Sequence, residues 1–323
     1  NFDFNLNDVF FQQLGVREAD HYLQVNTTSF ADQIGKILVG TERVMREEKP
    51  DRFLALGDTN SALGAIIAKR LGIPVFHMEA GNRCYDDRVP EEINRRIVDH
   101  SSDILMPYTH RSKDNLVREG IERHRIYVTG NPIYEVLEHY KEGIDSSDVL
   151  SRLGVTQGEF FLVTMHRAEN VDQEARLRGM IDGLQSVGKT YNKPVIVSVH
   201  PRTRNKIEQF NIDIDNTHLK LLDPLPFFDF VKLEKTAYCV ISDSGTVQEE
   251  CAIFNVPSVA IRDVTERAET IEVGSNILAG GNKEDLLRAI KVALSTGNDW
   301  TAPEEYLVPN VSRTVAKIIL GYH

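Results

Sequence analysis

The residues with the most chemical character follow short apolar runs. Pro74-Val75-Phe76 leads straight into His77 and Glu79, and after a charged loop Pro90-Glu91-Glu92 opens a helical pattern. Asp58 follows Phe53–Leu56 and Gly57 in the same way. Carboxylates aimed out of strand ends suit general acid–base work on a bound molecule. Glu79, beside Ala80-Gly81, has no capping duty that would explain it. Asp58 could equally form a turn, and Glu91 and Glu92 could simply answer the positive end of a helix. His77 with Asp58, Glu79 and Glu91 would make an oxygen-rich metal site on paper. Their spacing matches no metal motif, so no metal is expected.

The second half offers groups of the opposite sign. Met165-His166-Arg167 and Val199-His200-Pro201-Arg202 put imidazoles and guanidiniums where apolar runs stop. His166 and Arg167 together could neutralise a diphosphate or protonate a leaving phosphate. Ser242-Asp243-Ser244-Gly245-Thr246 leads into a helix containing Glu249 and Glu250. A strand, a Ser/Gly turn and a helix N-terminus can bind phosphate through exposed N–H groups and the helix dipole. The hydroxyls of Ser244 and Thr246 add donors, and Glu250 could reach ribose hydroxyls. The plain alternative is an ordinary helix cap with acids near the start. The segment lacks Gly-Lys-Ser/Thr and is not a Walker loop.

What must position these residues is a strand–helix alternation running through almost the whole chain. Strands are predicted at 53–56, 74–78, 103–106 and 125–129, then at 160–165, 194–199, 219–222, 238–241 and 258–261. Polar Lys141–Ser147 reads as the boundary between the two sets. Such alternation means parallel sheets with both faces covered. The expected fold class is α/β, with two doubly wound Rossmann-like domains facing a cleft. The expected domains are 1–142, on the acid-lined side, and 143–323, on the phosphate side, ending in a helix near Ser312–Leu320. Ligands of such sheets bind beyond the carboxyl ends of the strands, where the ionisable residues fall. The arrangement suits a nucleotide sugar, its diphosphate on the second domain and its sugar toward the first.

The bulk properties agree. A chain of 323 residues fits two domains. A formal net charge of −11 argues against nucleic acid or an anionic membrane as the main partner. No apolar run approaches the roughly 18 residues of a membrane helix, and no signal peptide is visible. Cys84, Cys239 and Cys251 lack CxxC spacing, which fits a reducing compartment, and the cytoplasm is expected. The opening Asn1-Phe2-Asp3 reads like the interior of a longer protein.

Taken in order, GDTNSALGAIIAKRLGIPVFHMEAG, PEEINRRIVDH, TGNP, MHRAEN, HP, DSGTVQEE and VTERAET resemble the non-hydrolysing UDP-N-acetylglucosamine 2-epimerase family. The loop NRCYDDRV, short for the UDP-N-acetylglucosamine enzymes, with HPRTR and VTERAETIEVGSNIL, is similar to the branch that makes UDP-N-acetyl-L-fucosamine. The resemblance implies the two-domain GT-B fold and C2 epimerisation through elimination of UDP to a 2-acetamidoglucal. It places Asp58, Glu79 and Glu91 around the sugar and His166 on the leaving diphosphate. Ser244, Gly245 and Thr246 would hold phosphate and Glu250 the ribose. Arg83, Arg167, His200, Arg262, Glu266 and Arg267 would complete the UDP-sugar site. It implies no cofactor, a homodimer, and a place in polysaccharide precursor synthesis. The family's early Gly-Thr-Arg-Pro-Glu loop is absent, its DSGG reads Asp243-Ser244-Gly245-Thr246, and its ERPE reads Glu266-Arg267-Ala268-Glu269. The short loop argues against an allosteric UDP-sugar site beside it. A hydrolysing epimerase, a GT-B glycosyltransferase and an inactive UDP-sugar-binding module stay open as rivals.

Overall fold

The structure, a computed structural model, describes residues 8–25, 27 and 29–322. The expectation resting on Asn1-Phe2-Asp3 lies outside the described residues. The chain forms two compact units, one of residues 18–135 with 304–322 and one of residues 136–303 with 8–17.

Among the described residues the first unit is built on three parallel strands, β1 (Phe53–Leu56), β2 (Val75–Met78) and β3 (Ile104–Met106), in the order β1-β2-β3. Central β2 is buried on both faces, which is why its sequence is a continuous apolar run broken only by His77. Val75 packs with Ala65, Ala68 and Val98 from the helices Gly64–Arg70 and Pro90–Ser101. Phe76 and Met78 point the other way, onto Val311 and Val315 of helix Val311–Gly321. That terminal helix, expected with the second domain, therefore belongs to the first. Its apolar stripe fills the face of β2 and β3 that the preceding helices leave open. The strand predicted at 125–129 is not formed. A 3₁₀ turn, Arg123–Arg125, and one bridge from Leu105 to Ile126 replace it. Arg125 holds the turn by donating to the carbonyls of Ser102 and Asp103.

The second unit carries β4 (Phe161–Met165), β5 (Val195–Val199), β6 (Leu219–Leu222), β7 (Cys239–Ser242), β8 (Ser258–Ala260) and β9 (Asn276–Leu278). All pairings are parallel, in the order β6-β5-β4-β7-β8-β9. Phe161, Val163 and Met165 face the helices Glu174–Tyr191 and Lys283–Ser295, while Leu162 faces Phe227–Thr236 and Gly245–Phe254. The order reverses at β4, so the crevice between β4 and β7 is the topological switch point. β9 escaped the sequence reading because it opens on Asn276 and has only Ile277 and Leu278 as apolar residues, both partly exposed. The polar stretch expected as a boundary forms helix Lys141–Ser146, with Ile144 buried and Asp145 paired to Lys235. The units divide earlier, at Glu135 and Val136. None of the described helices is long and apolar enough to cross a membrane.

Candidate active site

In the first unit the strand ends are held by a buried charge network. His77 continues β2 and is fully buried. Its Nε2 lies 3.0 Å from the Gly57 carbonyl and its Nδ1 2.7 Å from Asp99 Oδ1. Asp99 Oδ2 accepts from the Gly81 amide at 3.1 Å and pairs with Arg83 Nη2 at 2.8 Å. Arg83 in turn donates to Glu119 at 2.9 and 2.7 Å. Burial works against a charged His77, but the Asp99 contact and the Gly57 carbonyl outweigh it and raise the imidazole above its ordinary value. Burial likewise opposes an ionised Asp99, yet His77 and Arg83 hold that carboxyl below its ordinary range. Two cations and two carboxylates thus close on one another between the end of β1, the end of β2 and two helices. Arg83, expected on the ligand, has a side chain with no solvent exposure, because its guanidinium is used in this network.

The network frames the predicted carboxylates. Asp58 Oδ2 accepts from Arg95 Nε at 2.8 Å. Glu79 sits at φ +66°, the left-handed region that non-glycine residues enter at a cost of about 1–3 kcal/mol. Its Oε1 accepts from Asn82 Nδ2 at 3.1 Å, and Asn82 Oδ1 accepts from Ser112 at 2.9 Å. Gly81 follows at φ +78°, where a Cβ would lie 2.3 Å from the Ser112 carbonyl. Only glycine lets the turn after β2 approach helix His110–Arg118 so closely. Glu91 lies half-buried in the first turn of helix Pro90–Ser101. Glu92, read from sequence as a helix-start acid, is fully buried and accepts from the amides of Cys84 and Tyr85 at 3.0 and 3.1 Å. It pins the short loop back on the helix. Burial opposes its charge, but those amides and Arg95 hold it below its usual value. His77 points into this core, away from the metal role that spacing alone left open. No cluster of three metal-binding side chains occurs among the described residues.

In the second unit the organiser is Asp243, fully buried just past β7. Its carboxylate accepts from the amides of His166 and Arg167 at 3.0 and 2.9 Å and from Asn170 Nδ2 at 2.9 Å. It also lies 3.2 Å from His166 Nδ1. The His166 imidazole stays 41% exposed. It sits 6.1 Å from the His200 ring, and both border a cavity of about 160 Å³ with Phe227 and Phe230. Ser244 takes the N-cap position of helix Gly245–Phe254, and its side chain makes no capping hydrogen bond. A Cβ on Gly245 would come within 3.1 Å of Glu266 Oε1 and 3.4 Å of the Arg267 guanidinium, so glycine lets the 262–267 loop close over the helix start. Arg262 Nη1 donates to Glu266 at 2.8 Å, and Arg267 Nε donates to Glu249. Arg167 Nη2 lies 3.9 Å from Glu266. Arg262 is 1% exposed, yet its Nε and Nη2 have no hydrogen-bond partner. Three guanidiniums, a helix N-terminus and a half-exposed imidazole thus meet at the switch point. The hydroxyl of Thr246 is on the exposed side of the helix start, and Glu250 is buried.

Sequence reasoning found the strand ends but missed the residues that hold them. Asp99 and Arg95 gave no signal as single residues. Their spacing with Glu92 on one helix is a polar stripe on a face that also buries Val98, and that conflict was the available clue.

Two parallel-sheet, Rossmann-like units, each with ionisable groups at its strand ends, make an α/β protein of the GT-B fold. A lipopolysaccharide glycosyltransferase, 13% identical over 98% of this chain and 95% of its own, shares that fold with a TM-score of 0.57. The family model described as UDP-N-acetylglucosamine 2-epimerase matches residues 1–320, and the chain belongs to this isomerase family. The UDP-N-acetylglucosamine 2-epimerase of Methanocaldococcus jannaschii is 40% identical over 306 residues, 93% of this chain and 84% of that protein. A UDP-2,3-diacetamido-2,3-dideoxy-D-glucuronate 2-epimerase of Pseudomonas aeruginosa is 35% identical over 297 residues, 91% of this chain and 82% of that protein. The crystal structure of the M. jannaschii enzyme with UDP-GlcNAc and UDP superposes with a TM-score of 0.94 at 37% identity, covering 100% of this chain and 90% of that one.

Proposed function

We propose that the protein inverts C2 of a UDP-N-acetylamino sugar by eliminating and re-adding UDP. A base removes the C2 proton, the C–H electron pair becomes the C1–C2 double bond, and the C1–O bond to UDP breaks. The 2-acetamidoglucal then takes a proton at C2 on the opposite face as UDP oxygen re-forms the bond to C1. Removal and return on different faces require two acid–base groups, for which Glu79 and Glu91 are proposed, with Asp58 beside them. His166 would protonate or neutralise the leaving diphosphate, helped by Arg167, His200 and Arg262. Ser244, Gly245 and Thr246 would receive phosphate, Glu250 the ribose, and Glu266 and Arg267 would border the site.

The observation that carries this reading is the pairing of chemistry with family. An anion-receiving switch point lies in one unit and strand-end carboxylates lie in the other, in a chain of the 2-epimerase family. The relatives support the UDP-N-acetylglucosamine and UDP-N-acetylmannosamine pair as substrates. The short loop after Gly81 favours a second reading, the 6-deoxy pair of UDP-2-acetamido-2,6-dideoxy-L-talose and UDP-N-acetyl-L-fucosamine. Either product would supply cytoplasmic polysaccharide assembly, and the working form would be a homodimer.

The test is incubation of each UDP-sugar in deuterated water. Deuterium at C2 of intact UDP-sugar is expected from one of the two pairs. Free sugar with UDP would instead mean a hydrolysing epimerase, and intact unlabelled substrate in both cases would sink the proposal.

A further inference from the structure

The second unit buries two carboxyl groups that the proposed chemistry uses only in part. Glu234, on helix Phe227–Thr236, is fully buried, and Glu250, on helix Gly245–Phe254, is 4% exposed. The two side chains hydrogen-bond to each other. The Cys251 thiol lies 3.5 Å from Glu234 Oε1, and the buried Glu234 Oε2 has no hydrogen-bond partner. No Lys, Arg or His forms an ion pair with either carboxyl among the described residues. The charged groups on the neighbouring helices are engaged elsewhere. Asp145 pairs with Lys235, Asp148 and Asp229 pair with Arg152, and Glu249 binds Arg267. Phe230, one turn before Glu234 on the same helix face, lines the cavity that His166 and His200 border.

Two buried carboxyls in contact without a countercharge cannot both be ionised. A hydrogen bond between them needs at least one proton, because two carboxylates offer only acceptors. We infer that Glu234 is a positioning residue for the nucleotide: it carries a proton, donates it in a hydrogen bond to Glu250, and thereby fixes the Glu250 carboxyl as an acceptor for the ribose hydroxyls. The inference rests on the proposed ribose role of Glu250 and adds the group that orients it. Burial is the largest cause in both residues. It drives Glu250 up to about 8, and drives Glu234 well above the ordinary carboxyl range, with the Glu250 charge as the next contribution. The Cys251 and Cys239 thiols, the other titratable groups facing the pair, are themselves pushed up by burial, Cys239 to about 12.

UDP binding to the whole chain, measured by calorimetry at pH 7.0, tests this. Glu234→Leu removes the donor and should weaken UDP about tenfold at pH 7.0, with its circular-dichroism melt confirming the fold. Glu234→Gln supplies an amide donor that does not titrate. It should recover most of the affinity lost in Glu234→Leu. A Glu234→Gln variant that binds UDP no better than Glu234→Leu, or unchanged UDP affinity in a folded Glu234→Leu variant, would overturn the inference. Glu250→Ala separates the two layers: if it too binds UDP normally, the ribose role itself falls, whereas a weakened Glu250→Ala beside silent Glu234 variants removes only Glu234.

Discussion

The two units place ionisable groups at strand ends and balance them in opposite ways. Around β2 the buried charges answer one another: His77 and Arg83 face Asp99 and Glu119, and Arg95 faces Glu92 and Asp58. Around β4 and β7 the balance is left open. Arg262 keeps two buried nitrogens without acceptors, and Glu234 and Glu250 lean on each other. A closed network is rigid before any ligand arrives, which suits groups that must meet a proton at one angle. An open one leaves donors whose partner is the ligand, because an unmet buried donor costs about 1–3 kcal/mol until it is satisfied.

The largest expected effect sharpens this contrast. On the proposed reading, Glu79→Gln should lower kcat by about 10²–10⁴-fold, the usual worth of general acid–base catalysis, while UDP affinity stays within about twofold. C2 deuterium exchange and calorimetry read the two separately. A matched loss in both would break the division of labour between the units. Arg262→Ala should do the reverse to first order, weakening UDP by about 10–100-fold, as loss of a hydrogen bond to a charged group does. Unchanged UDP affinity would mean that its unmet N–H groups serve no anion.

The third prediction concerns the closed network and its pH dependence. His77→Gln should destabilise the first unit by about 3 kcal/mol at pH 6, because it leaves Asp99 and Arg83 unbalanced in the core. The His77 pKa is raised in the folded chain, so its contribution is complete below the ordinary value near 6.5 and is lost as pH rises through the folded value. The gap between native and variant urea midpoints should therefore narrow from pH 6 toward pH 9. A gap that widens over that range would show that the imidazole is neutral when folded. The smallest effect belongs to Gly245→Ala. The added Cβ at 3.1 Å from Glu266 Oε1 should push the 262–267 loop back slightly and cost less than tenfold in UDP affinity, with little change in melting temperature. A large fall in melting temperature would mean that the loop cannot yield.

Much of the fold was legible before any coordinates. Among the described residues, eight of the nine strands follow from apolar runs ending in polar turns; those buried on both faces must be apolar throughout, while β1 leaves Leu54 and Leu56 exposed. The misses share one cause. Arg125–Thr129 has a strand's composition, but Arg125 caps the carbonyls before β3 and only Ile126 bridges. Lys141–Ser147 has a linker's composition, but Ile144 finds a helix to pack on. The terminal helix follows its apolar stripe to the first sheet, although its neighbours in sequence belong to the second.

The candidate site divides along the same line. The sequence by itself determined that Asp58, Glu79, His166 and the 242–246 turn stand at strand ends, because a run of apolar residues fixes where a buried strand must stop. It also carried the family, through motifs spread along the chain. Only the tertiary structure decided that Arg83 belongs to the core, that Asp243 gathers the His166 loop, and that Glu234 meets Glu250. Those outcomes depend on which buried charge faces which. A buried charge is set by partners many residues away, and local pattern does not record them.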